Sequence, residues 1–242
     1  MIIHGIHPVR EALRSDHSRV TAILVAPFSN NPRIQEIVDQ ARSVGVSLRF
    51  ESPQTLTRKV GNSKHQGVLA ELAGAPYTAL EEVLARNPRW LLLADNVEDP
   101  HNLGALIRTA EAAGLDALLL PQRRAVQATA TVVKASSGAA LHFPLVRIGN
   151  VASTVGQFKA RGFWSIGLDM EGQDSIDSVP TDQPILMVVG GENRGLRPVV
   201  RKACDLVVGL PMPGRVASLN LSVAAGVLIY QILFRRLQEQ PS

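Results

Sequence analysis

Along the first 72 residues the apolar positions change rhythm several times. Residues 7–14 carry a helical spacing, with Pro8 tolerated in the first turn. Residues 21–26 alternate as a strand does. Residues 33–44 return to the helical period and stop at Gly45, and 46–50 and 67–72 read as two more strands. From residue 90 the pattern becomes short continuous apolar runs separated by amphipathic stretches. The runs at 90–94, 117–120, 145–148, 163–168, 185–189 and 206–210 predict buried strands. Between and after them, helices are predicted at 103–113 (closed by Gly114), around 129–136, from the cap Asn150 to 161, at 196–204 and at about 218–238. Strands that are apolar on both faces and alternate with helices predict an α/β domain, its mostly parallel sheet covered on both sides. The stretch AGAPYTALEEVLARNP at 73–88, a weak helix between two prolines, reads as a linker. The expected organisation is a small α/β domain at 1–72, the linker at 73–88 and a larger α/β domain at 89–242.

Composition narrows the chemistry. With 45% hydrophobic and 19% charged residues in 242, the chain can build a packed core. Its single cysteine, Cys204, excludes a disulfide framework and a cysteine zinc site, and fits a reducing cytoplasm. The six histidines show no metal-ligand spacing, so no metal is expected. The greasiest run, 219–234, is interrupted by Asn220, Ser222 and Gln231 and is too short to span a bilayer, so no membrane is expected either. The start, MIIHGIHPVREAL, has no signal-peptide pattern. The net charge of +4 is mild, but residues 1–72 hold nine Lys/Arg against six Asp/Glu, while the rest is nearly balanced. The first domain is therefore the better candidate for touching phosphate, with a solvated basic surface as the equal alternative on charge alone; the side chains in question are Arg10, Arg14, Arg58, Lys59 and Lys64, with His65 as a further one.

Ligands of parallel sheets sit beyond the carboxyl ends of the strands, and three polar motifs fall there. The first is ADNVEDPHNLGALIRTAEAAG at 94–114. Here Arg108 is expected to lean back over Gly104 and Ala105 toward Asn102, because helical side chains tilt toward the N-terminus. The second is MVVGGENRGL at 187–196, where Gly190 and Gly191 permit close approach of a backbone or flat ligand and Glu192 is either a ligand group or a helix cap. The third is LPMPGRVASLNLS at 210–222. Ser218 suits the N-cap of the last helix and Asn220 its first turn, where a polar group points to a ligand oxygen. No GxGxxG follows the first strand of this domain, and no GxxxxGK[ST] occurs, which disfavours dinucleotide and P-loop sites.

In this order and spacing, N-x5-N-x5-R (Asn96, Asn102, Arg108), the glycine–glutamate motif from Gly190 to Gly195, and P-M-x-G with S-L-N-x-S closely resemble the SpoU (TrmH-like) family of RNA ribose 2′-O-methyltransferases. The resemblance runs from about Trp90 to the C-terminus. HGIHPVREAL and KHQGV are similar to the small, L30e-like substrate-binding domain of bacterial members that methylate a guanosine of large-subunit ribosomal RNA. The resemblance implies a trefoil-knotted SPOUT domain, S-adenosylmethionine as cofactor, and a homodimer acting on ribosomal RNA. By position it implies cofactor contacts at Gly190, Gly191, Leu210, Met212 and Leu219, and active-site roles for Asn102, Arg108, Glu192, Ser218 and Asn220. Two alternatives stay open: a transfer RNA substrate, and a non-catalytic assembly factor of the same fold.

Overall fold

The computed structural model describes every residue except 28–30, 75–76, 124, 193–194, 217 and 240–242. Its contacts divide the chain into two compact units, Met1–Pro76 with Gln127–His142, and Tyr77–Val126 with Phe143–Ser242.

The first stretch of chain forms β1 (Ile2–His4), α1 (Ile6–Asp16), β2 (Val20–Val25), α2 (Pro32–Ser43), β3 (Leu48–Phe50), α3 (Pro53–Val60) and β4 (Val68–Leu72). The sheet order is β1-β4-β2-β3, with only β2 and β3 parallel. Periodicity had not announced β1 or α3. β1 is three residues long, too short to show alternation, and α3 is one of the shorter helices. Yet α3 carries its own signals: Ser52 accepts a hydrogen bond from Thr55 N, Pro53 begins the helix, and Gly61 closes it in the left-handed conformation. Leu56 of this helix packs on Ala22, Leu24 and Leu69 of the sheet.

The second stretch forms α4 (Leu80–Leu84), β5 (Trp90–Ala94), α5 (Pro100–Ala112), β6 (Ala117–Pro121), α6 (Ala130–Ala135), β7 (Leu145–Ile148), α7 (Val151–Lys159), β8 (Trp164–Leu168), β9 (Ile185–Val189), α8 (Pro198–Ala203), β10 (Leu206–Val208) and α9 (Leu221–Glu239). By contacts α6 belongs to the first unit. It packs on β1, with Lys134 Nζ 3.3 Å from His4 Nε2, and burial together with Lys134 and His65 holds the His4 pKa below its usual value.

The other strands of this stretch make one wholly parallel sheet in the order β10-β8-β9-β5-β6-β7. β5 and β9 lie at its centre and bury every residue, as their continuous apolar runs require. Both edges are covered: Thr78 bridges to Val146 beside β7, and Asp174 bridges to Val208 beside β10. From β5 the chain moves to β6 on one side, whereas from β9 it moves through α8 to β10 on the other. The loops leaving the carboxyl ends of these adjacent strands therefore part and open a crevice.

α9 buries Ala225, Leu228, Ile229 and Ile232 and lies against α5, where a Cβ on Gly226 would stand 3.5 Å from Thr109 Cγ2. Its basic C-terminal end has specific partners beyond the helix dipole. Arg235 Nη1 donates to the carbonyls of Ile176 (2.6 Å) and Val179 (3.0 Å), and Arg236 Nη2 to that of Gln183 (2.8 Å). The Arg236 guanidinium also lies 4.8 Å from the centre of the Trp90 ring. Among the described residues, no helix is long and apolar enough to cross a membrane.

Cys204 follows α8, its Sγ 3.2 Å from the position a Cβ on Gly167 would take. Burial and the neighbouring Asp205 push its thiol up to about 12. At pH 8 only about one thiol in ten thousand would then be ionised. The native protein is expected to resist iodoacetamide at that pH and to take up one carbamidomethyl group only after denaturation, as read by intact mass.

Candidate active site

The crevice continues into a cavity of about 580 Å³ at the carboxyl ends of β8, β9 and β10, a size suited to a nucleoside-sized ligand. Leu168 ends β8, and with Asp169 and Met170 beyond it forms one wall. Gly190, Gly191, Glu192 and Gly195 supply a second. Leu210, Met212, Gly214, Arg215, Ser218 and Leu219 form the third, and Leu221 and Ala224 of α9 complete the lining.

The glycine wall can only be glycine. A Cβ on Gly190 would fall 2.1 Å from the carbonyl carbon of Gly195, and one on Gly191 would fall 2.8 Å from the carbonyl oxygen of Asn96. Gly191 and Gly195 meet, with Gly191 N donating to Gly195 O at 3.1 Å. Asp169 pins the next residue by accepting from Leu196 N at 2.9 Å.

α5 begins earlier than the apolar rhythm suggests. Asp99 caps it by accepting from His101 N at 2.8 Å, and Pro100 stands in its first turn. This places Asn102 on the helix, facing the glycine wall. Glu192 Oε1 accepts from Asp99 N at 3.1 Å and from Asn102 Nδ2 at 2.8 Å. Asn102 Oδ1 in turn accepts from Asn220 Nδ2 at 2.9 Å. Asn220 Oδ1 accepts from the Ser222 backbone N–H (2.9 Å) and its hydroxyl (2.7 Å). One chain of hydrogen bonds thus ties the three motifs together.

The cap of the last helix is a correction. Ser218 was expected at the N-cap and Asn220 inside the first turn. Instead α9 starts at Leu221, and Asn220 is the cap: its carbonyl accepts from Ala224 N at 2.9 Å and its side chain from Ser222 N. Ser218 lies in the preceding loop and lines the cavity.

The expected cofactor contacts Gly190, Gly191, Leu210, Met212 and Leu219 all line the cavity. Of the expected active-site residues, Glu192 and Ser218 line it, and Asn102 and Asn220 join it through Glu192. Arg108 does not come to the cavity. It is exposed on α5, outside the lining. Asp169 and Met170 were not singled out, although they follow directly on the predicted strand 163–168, where the strand-end rule would have found them.

The basic candidates belong to the first unit. Arg14, Arg58, Lys59 and Lys64 are exposed; Arg10 is partly covered, with its Nη2 3.3 Å from His7 Nδ1. Arg14 pairs with Glu11 at 3.8 Å and Lys59 with Glu71 at 3.2 Å. His65 is a correction: it is buried. Its Nδ1 accepts from Gly67 N at 3.0 Å, which leaves Nε2–H to donate to Thr57 Oγ1 at 3.1 Å. Both ring nitrogens are used inside the fold, so the ring is a structural one. Among the described residues no cluster could hold a metal ion.

Comparison with known proteins agrees with this geometry. Residues 89–230 match the SpoU rRNA methylase family, and residues 2–78 match the RNA 2′-O ribose methyltransferase substrate-binding domain. The chain belongs to the SpoU rRNA methylase family. It is an RNA 2′-O-ribose methyltransferase by class. A 23S rRNA (guanosine-2′-O-)-methyltransferase, RlmB of Xanthomonas campestris, is 38% identical over 97% of this chain and 96% of its own length. YacO of Bacillus subtilis, whose name places it in the TrmH family of tRNA/rRNA methyltransferases, is 35% identical over 96% and 94%. Among solved structures, the SpoU methyltransferase AviRb of Streptomyces viridochromogenes superposes with a TM-score of 0.82 at 25% identity, covering 99% of this chain and 91% of its own. AviRb has also been solved in complex with AdoMet.

The cavity fits such a cofactor. Aliphatic walls suit a flat base, the glycine backbones leave room for close approach, and the carboxylates of Asp169 and Glu192 outweigh the Arg215 guanidinium in the same lining, which favours a cation. Asn220→Asp separates the cap from the relay. The aspartate still caps α9, so thermal stability should hold, whereas Asn220→Ala should cost about 1 kcal/mol. Yet an aspartate cannot donate to Asn102, and methyl transfer is expected to fall by roughly tenfold or more while the melting temperature is kept.

Proposed function

We propose that the protein methylates the 2′-hydroxyl of a guanosine in large-subunit ribosomal RNA, as a homodimer. The observation that carries the RNA class is full-length similarity. The relative named for 23S rRNA guanosine matches along 97% of the chain, the substrate-binding part included. A tRNA-modifying enzyme of A. aeolicus covers only 66% of it, with a TM-score of 0.56. Transfer RNA remains the second reading, because YacO's name carries both substrates.

When bound, S-adenosylmethionine supplies a methyl group already activated by a positive sulfur. The glycine wall with Leu210, Met212 and Leu219 would hold it. Asn102 and Asn220, each fixed in one orientation, would orient the ribose hydroxyl. Arg108, exposed and permanently charged, would grip an RNA phosphate or ribose and stabilise negative charge growing on the 2′-oxygen, rather than accept a proton. Ser218 would shape the loop ahead of the cap.

The homodimer reading draws on α9. Val223, Val227, Tyr230, Phe234 and Leu237 are all solvent-exposed and repeat at intervals of four and three residues. This is the seam of a helix that packs on a partner helix. A second copy of the chain is the occupant the family resemblance implies.

Purified protein incubated with labelled S-adenosylmethionine should mark 23S rRNA at one guanosine ribose and leave transfer RNA unmarked. A mark on transfer RNA alone would reverse the assignment. Arg108→Ala should keep cofactor affinity and lose methyl transfer by roughly 100-fold or more. Phe234→Glu should convert the dimer to monomer in light scattering, with the circular dichroism spectrum unchanged.

A further inference from the structure

We propose that Asp95 and Arg197 are positioning residues for methyl transfer: a fork-shaped ion pair that sets the spacing between the loop at 95–99 leading into α5 and the 195–197 segment leading into α8. The proposal rests on the reading of the site as a methyl-transfer site.

Asp95 is the first residue beyond β5 and is 2% exposed. Its carboxylate takes two N–H groups of one guanidinium, Nε to Oδ2 at 2.8 Å and Nη2 to Oδ1 at 2.9 Å. A two-point fork fixes orientation as well as distance, and an ammonium in its place would act only as a point charge. The pair joins the residue that follows β5 to the residue that caps α8.

Each partner sits next to a contact that shapes the cavity. Asn96, one residue after Asp95, has a φ of 61° and presents the carbonyl against which Gly191 must be glycine. Leu196, one residue before Arg197, is the residue whose N–H is held by Asp169. Glu192 lies between and reaches across to Asp99 and Asn102. The two loops are therefore pinned twice, at the base by the ion pair and at the rim by Glu192. The rim is exposed and the base carboxylate is not. Ion pairs, whether half exposed like this one or fully buried, add little net stability, so what this one adds is register. A shift of the base would carry Glu192 and the glycine wall with it.

The two sides of the pair differ in access. The Arg197 side chain is 44% exposed and that of Asp95 only 3%. A small guanidinium ion can therefore enter the gap that Arg197→Ala would leave.

The test uses full-length protein, with methyl transfer to ribosomal RNA at saturating cofactor and RNA, KM for both, and melting temperature. Arg197→Ala and Arg197→Lys are expected to lower kcat by roughly 10–100-fold, the cost of a misplacement near 1 Å. KM for RNA should change little. Millimolar methylguanidinium should restore part of the kcat of Arg197→Ala, and should leave the wild type and Asp95→Asn unchanged. Wild-type kcat in both Arg197 variants overturns the positioning role. So does a loss of activity that follows the loss of folded protein and is not restored by methylguanidinium. A wild type that transfers no methyl group to any RNA overturns the functional reading, and this proposal with it.

Discussion

A carboxylate accepts hydrogen bonds and a backbone N–H donates them; neither can exchange roles. The candidate active site hangs between two such fixed ends. Glu192 can only accept, so Asn102 must turn its amide nitrogen toward it. That turns the Asn102 oxygen toward Asn220, which must donate. The remaining Asn220 oxygen then meets the Ser222 backbone N–H, which can only donate. Both ends demand the same amide orientations. Two side chains that are ambiguous in isolation are thereby locked, and the lock costs no reorganisation when a ligand arrives.

The lock depends on the sheet beneath it. Only because β5 and β9 are neighbours, with chains departing in opposite directions, do the motif after β5 and the motif after β9 face each other across a gap of side-chain size. The glycines bring backbone, rather than side chains, to that gap. α9 then closes it from the third side, packed against α5 and tied at its far end by Arg235 and Arg236.

The central parallel strands were legible because they are buried on both faces and read as unbroken apolar runs. The three motifs were legible because they sit where those runs end. The residues lining the cavity, from Gly190 to Leu219, followed from this. Pairings across long sequence distances were not legible: periodicity cannot say that Arg197 will find Asp95, or that Glu192 will find Asp99. The exchange of Ser218 and Asn220 has a local cause. Both residues are good caps, and they stand only two positions apart. Arg108 was legible as a motif residue, and it stands exposed on α5 outside the cavity lining.

The hydrogen bonds that assemble the site also join residues very far apart in the chain. Glu192 meets Asn102 across 90 positions and Asn220 meets Asn102 across 118. Closing such loops is entropically expensive. The hydrogen-bond chain beside the cavity exists only once all three motifs have met. Occupancy by a ligand becomes a report that folding has finished. Because the ligand binds only the native state, it also draws the last segments into place by mass action.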